Sequence, residues 1–186
     1  MTICIYKDGV LGADGRTTYT DGTIVTDNAV KIGLIWECKV EGTRSIYKDT
    51  LQEPKLFAAY GFAGAAFYMK KFVRWLTTTQ HPDIDSENDL DFDACDMTLD
   101  PDVPMSGLVV FVDYDFVRLY SSEYESHIYL DLPANELVAI GSGEKIAKAI
   151  NSTNSLMRVD TIITNVAKLN TTCGGLITLY DLNKLK

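Results

Sequence analysis

Histidine is nearly absent: only His81 and His127 occur in 186 residues. Neither has a partner at metal-ligand spacing, so both read as surface or packing residues and no metal is expected. Cysteine is also sparse. Cys4, Cys38, Cys95 and Cys173 are scattered without a CxxC pair, which argues against a zinc site or a disulfide framework and fits a reducing cytosol. Basic residues are outnumbered, with 17 Lys plus Arg against 26 acids for a net charge of −9. Such a field repels phosphate backbones and excludes nonspecific nucleic-acid binding. No apolar run approaches the ~20 residues that span a bilayer, and no basic stretch leads into an apolar core as in a signal peptide. A cytoplasmic protein without a membrane partner is expected.

What is present suits one domain over 1–186, because 46% of the residues are hydrophobic and can fill a sizeable core. TICIY and VLGAD, joined through Asp8-Gly9, read as a β-hairpin, since Gly accepts the positive φ of a tight turn. A second turn falls at Asp21-Gly22. TIVTDNAVKIGLIWECKV then holds two strands broken near Asp27-Asn28. Residues 37–55 read as a polar excursion and LFAAYGFAG as a buried run. Ala66, Met69, Phe72, Val73 and Leu76 recur at helical spacing. GLVVFV and FVRLY form another hairpin, with more β-material in HIYLDLP and ELVAIGSG. Two helices (EKIAKAINSTNSLM and VDTIITNVAKL) and a strand, GGLITLYDL, close the chain. Without regular βαβ alternation, this order favours an α+β layered sandwich over a doubly wound sheet.

Between Asp83 and Asp102 lie nine acids, an apparent insertion. Asp83, Asp85, Glu87 and Asp89 alternate as in a calcium loop, yet Asn88 stands where glycine is needed and Ala94 where glutamate is needed. A solvated acidic loop is the better reading.

Three residues suggest chemistry: Thr2 opening the first strand, Asp14 in GADGRTT, and Lys31 in NAVKIG. A hydroxyl, a carboxylate and an ammonium are the parts of a threonine nucleophile activated by its own terminal amine. Alternatively, Thr2 is only a β-branched strand residue and Asp14 with Lys31 a structural ion pair. MTICIYKDGVLGADGRTT followed by NAVKIG resembles the opening of proteasome β-type subunits, especially HslV and its shorter viral relatives. AAYGFAGAAFYMKKF, VAIGSGEKIAKAI and LNTTCGGLITLYDL resemble later blocks of that family in the same order.

The resemblance implies a four-layer αββα sandwich, the N-terminal-nucleophile hydrolase fold, and a threonine-type peptidase exposed by removal of Met1. Thr2 would attack a peptide carbonyl, assisted by Asp14 and Lys31. Ser142 would hold the amine, Ala63 N–H would lie near the oxyanion, and Thr17 and Thr18 would pair with an extended substrate. Asn170 and Cys173 stand where the family has an Asp and often a Ser to support the amine. They lose a charge and weaken an acceptor, which favours a second reading, an inactive assembly protein. A non-proteolytic amidase is a third. Ser142 also suits a helix N-cap, and Cys173 a small buried hydrophobe. The family further implies a homo-oligomeric ring, a peptide or unfolded-protein substrate, an ATPase unfoldase partner and no cofactor. The short form with its acidic insertion suits a virus-encoded protein.

Overall fold

A computed structural model describes residues 2–19, 21–37, 55–78, 105–121 and 129–185. The excursion expected near 37–55 (all but its two end residues), the acidic insertion with its calcium-like spacing, and His81, His127, Cys38 and Cys95 lie outside the described residues.

The chain opens with the expected hairpin, β1 (Cys4–Lys7) and β2 (Val10–Ala13), paired antiparallel with Lys7 opposite Val10. Asp8 and Gly9 both take positive φ, 51° and 80°. This double left-handed turn matches the right-handed twist of the strands, and glycine supplies half of it without steric cost. After β3 (Thr17–Thr18) and β4 (Ile24–Thr26), the chain forms β5 (Ile32–Glu37), β6 (Lys55–Ala63) and helix α1 (Ala66–Thr78). Strands β7 (Ser106–Phe111), β8 (Phe116–Ser121), β9 (Tyr129–Pro133) and β10 (Val138–Ile140) follow. Helices α2 (Glu144–Thr153) and α3 (Val159–Leu169) lead to β11 (Thr178–Asp181).

Two larger sheets result, one ordered β10-β1-β2-β11 and the other β5-β6-β7-β8-β9, beside a two-stranded β3-β4 sheet. Alternation along the strands explains why they stack. On β1, Cys4 and Tyr6 pack with Leu11, Ile32, Ala59, Leu108 and Val110 between the sheets. Ile3 and Ile5 point the other way, onto Ala147 of α2 and Ile162, Ile163 and Val166 of α3. On β7, Val109 and Phe111 face Phe72 of α1. Three apolar seams therefore separate four layers: α1, the five-stranded sheet, the four-stranded sheet, and α2 with α3. This is the αββα sandwich the sequence pointed to.

In α3 the buried residues Val159, Ile162, Ile163 and Val166 follow helical spacing. Gly12 on β2 makes room for this face, because a side chain there would meet Val159 Cγ1 at 2.6 Å and Ile163 Cδ1 at 3.0 Å. Ile163→Val removes one methyl from this fully buried contact. It is expected to cost about 0.5–1.5 kcal/mol and lower the thermal midpoint by roughly 1–6 °C, read by circular dichroism.

Burial also sets the response to alkali. It raises the Cys4 thiol to about 12, and lifts Cys173, Tyr6, Tyr60 and Tyr120 above their ordinary values. Each folded-state pKa exceeds its unfolded one, so the resulting stability is complete below the unfolded pKa and is lost as pH rises toward the folded one. Urea midpoints are expected to hold near pH 7 and to fall steadily above about pH 9, the ordinary range of free thiols and then phenols. A midpoint unchanged at pH 10.5 would contradict this.

Candidate active site

The site forms where β1 and β2 begin and end. Thr2 lies two residues before β1, Asp14 directly follows β2, and antiparallel pairing of Cys4 with Ala13 brings them together. The backbone fixes this approach: Asp14 N–H donates to Ile3 C=O at 3.1 Å. Lys31 directly precedes β5 in the facing sheet, and its C=O accepts from Phe62 N–H of β6 at 3.0 Å. All three polar residues are buried.

Asp14 is the centre. Its Oδ1 accepts from the Thr2 hydroxyl at 3.1 Å, from Ile3 N–H at 2.9 Å and from Lys31 Nζ at 2.8 Å. Its Oδ2 accepts from Gly174 N–H at 2.7 Å. A fully buried carboxylate is thus held by one ammonium, one hydroxyl and two backbone donors, as burial of such a charge requires. Lys31 also donates to Arg16 C=O. The hydroxyl, carboxylate and ammonium singled out in the sequence do form one cluster.

Ser142 lies after β10, and its Oγ donates toward Thr2 C=O at 3.3 Å. The helix N-cap role does not hold: Gly143 occupies that position, without a side-chain cap. Gly141 explains the close approach. It has φ +94°, and a Cβ there would lie 2.3 Å from Thr2 O and 3.1 Å from Ala63 Cβ, so only glycine lets these strands meet. Gly141 thus packs against both the Thr2 carbonyl and Ala63, the last residue of β6. Gly141→Ala is expected to lower the thermal midpoint by several degrees through strain and clash, read by calorimetry.

Asn170 caps α3 and reaches the site indirectly. Its Nδ2 donates to Ser142 C=O at 3.1 Å, and its Oδ1 accepts from Thr172 N–H at 3.0 Å and Thr172 Oγ1 at 2.7 Å. Its contacts are with Ser142 and Thr172, so any support for Thr2 passes through them. Cys173 is buried with Sγ 3.5 Å from Ser142 Oγ, and burial raises its pKa. It is a packed thiol in the α3 seam and no nucleophile. Thr17 and Thr18 lie on β3, opposite Thr26 and Ile24 of β4.

Several contributors are not apparent in the sequence. Arg16 donates to Asp27 at 2.7 and 3.2 Å and to Thr171 C=O at 3.0 Å, joining three loops behind Asp14. That contact with Arg16 lowers the Asp27 pKa. Thr172 lies 3.1 Å from Ser142 Oγ. The signal for Gly174 was the Gly-Gly pair, and its function is a backbone donor to Asp14. Among the described residues, no three His, Cys, Asp or Glu side chains gather as a metal site would need.

The structure is similar to HslV from Trypanosoma brucei, with a TM-score of 0.56 at 14% identity over 96% of this chain and 97% of that one. It is also similar to Thiobacillus denitrificans BPH in complex with epoxomicin, with a TM-score of 0.60 at 14% identity over 97% of both. The fold is that of the proteasome-like N-terminal-nucleophile hydrolases. Anbu, an ancestral beta-subunit from Yersinia bercovieri, shares this proteasome-like fold with a TM-score of 0.56 at 13% identity, over 96% of this chain and 79% of that one. No family model matches the sequence, and no curated protein matches it. Identity this low shows the proteasome-like architecture, and the chemistry must be argued from the residues. Among the described residues, no helix is long and apolar enough to cross a membrane.

Proposed function

We propose that this chain is a threonine-type peptidase whose nucleophile is Thr2, freed by removal of Met1. The observation that carries the reading is the buried Thr2–Asp14–Lys31 cluster at the head of β1, in a proteasome-like fold. The Thr2 hydroxyl adds to the carbonyl carbon of a peptide bond, and its proton passes to the Thr2 α-amine. The C–N bond then breaks, with that proton going to the departing amine. Water hydrolyses the resulting ester, restoring the hydroxyl and releasing the acid. Asp14 orients the nucleophile. Lys31 balances the Asp14 charge and disfavours a second cation on the amine, keeping it a base. Ala63 N–H serves as oxyanion donor, and β3, with Thr17 and Thr18, receives an extended peptide.

A homo-oligomeric ring, an unfolded-protein substrate, an ATPase unfoldase and a cytoplasmic, virus-encoded setting accompany this reading. They rest on the fold and on the sequence resemblance.

One observation favours a second reading, an inactive assembly protein: Asn170 is uncharged, and its polar contacts go to Ser142 and Thr172. Epoxomicin and intact mass spectrometry separate the two. Loss of Met1, a single adduct on the wild type and none on Thr2→Ala support the peptidase. A chain that has lost Met1 yet gives no adduct with epoxomicin and cleaves no peptide supports the assembly protein.

A further inference from the structure

Three parts of the chain meet at the end of β1 farthest from Thr2. Lys7 closes that strand, and Glu136 and Leu137 lead into β10, which pairs with β1 so that Tyr6 lies opposite Val138. Lys148 and Asn151 belong to α2, three residues apart and therefore neighbours on its surface. With Asp8 they line a cavity of about 450 Å³, the lower part of the size range of small-molecule sites.

The cavity is surrounded by polar groups with bonding capacity to spare. The Lys7 ammonium is buried, and its three N–H donors meet two carbonyls, Ser155 C=O and Met157 C=O, the latter at 2.9 Å. Asp8 is mostly exposed, and at 3.7 Å from Lys7 Nζ it is beyond hydrogen-bond reach. Lys148 gives one donor to Glu144 at 2.6 Å and keeps two. Among the described residues, no ion pair engages the Glu136 carboxylate. Asn151 Oδ1 is buried without a hydrogen-bond partner among those residues, and an acceptor in that state calls for a donor from elsewhere.

Two ammoniums and two carboxylates around one cavity disfavour a simple ion. A lone anion meets Asp8 and Glu136, and a lone cation meets Lys7 and Lys148. A molecule with one charge of each sign satisfies both sets. We propose that this cavity binds a small zwitterion, a short peptide with both termini free. Its carboxylate accepts from the third Lys7 donor and from Lys148, and its ammonium donates to Glu136 and Asn151 Oδ1. Leu137 offers contact to an apolar side chain. The assignment stands on the cavity alone and goes beyond the peptidase reading, although a peptidase releases molecules of this class.

The dipeptide Ala-Leu is the probe, titrated calorimetrically into the full chain carrying Thr2→Ala, which removes any turnover. Saturable binding is expected, with N-acetyl-Ala-Leu and Ala-Leu amide each weaker by roughly tenfold or more, the size of one charge-assisted hydrogen bond. Glu136→Gln is expected to weaken Ala-Leu by a similar factor and to leave N-acetyl-Ala-Leu unchanged, because acetylation already removes the ammonium. Lys148→Met is expected to weaken Ala-Leu and to leave the amide unchanged. Both residues are exposed, so both variants should keep the parent thermal midpoint. Absence of saturable binding, capped dipeptides that bind as tightly as Ala-Leu, or an Ala-Leu affinity altered by neither substitution overturns the proposal. Epoxomicin plays no part in this titration, so failure of the peptidase reading leaves the result intact.

Discussion

Asp14→Ala is expected to lower the thermal midpoint by roughly 6–20 °C and to abolish epoxomicin labelling. The substitution leaves the buried Lys31 ammonium without its carboxylate and strands Ile3 N–H and Gly174 N–H. Removing one partner of a buried ion pair costs about 3–5 kcal/mol, and each kcal/mol moves the midpoint of a chain this size by about 2–4 °C. Asp14→Asn does not rescue the site. Both carboxylate oxygens accept from backbone N–H groups, so either amide orientation sets an NH2 against a donor. Calorimetry of the two variants tests this, and a midpoint within 2 °C of wild type for either would refute the central role given to Asp14.

Lys31→Met separates charge from scaffold. Asp14 keeps three of its four donors, so the midpoint should fall less than in Asp14→Ala. The chemistry should suffer more. Without the ammonium at 2.8 Å, Asp14 is an uncompensated anion beside Thr2, which favours a protonated, non-basic amine. Loss of a positioned proton acceptor typically costs 10²–10⁴-fold, and a drop of about that size is expected in the labelling rate. Stopped labelling reactions read out by mass would measure it. A Lys31→Met chain that reacts within threefold of wild type would confine Lys31 to a structural ion pair.

Much of the architecture was legible in the residues. Asp8-Gly9 between two apolar runs specified the first hairpin because few residue pairs tolerate two positive φ angles. The spacing of Val159, Ile162, Ile163 and Val166 specified which face of α3 is buried. Thr2, Asp14 and Lys31 were named on the family resemblance, and the local hairpin pairing of β1 with β2 explains why the first two meet. The particular contacts of Ser142, Asn170 and Cys173 were not legible, since they depend on where α3 ends relative to β10. Arg16 with Asp27, and Gly174 with Asp14, were invisible for the same reason: their partners come from loops brought together only by sheet stacking.

The sequence by itself determined the strands and helices and the layered α+β order, because periodicity, turn chemistry and hairpin pairing act over short separations, while Thr2 was singled out as the nucleophile candidate through the family resemblance. Tertiary structure alone decided that Asp14 is the hub of the cluster. It also decided that Ser142 addresses the Thr2 carbonyl rather than capping a helix, and that the Asn170 side chain bonds Ser142 and Thr172. Those outcomes follow from which donor meets which acceptor between loops that packing brings together, two of the contacts joining residues more than a hundred positions apart.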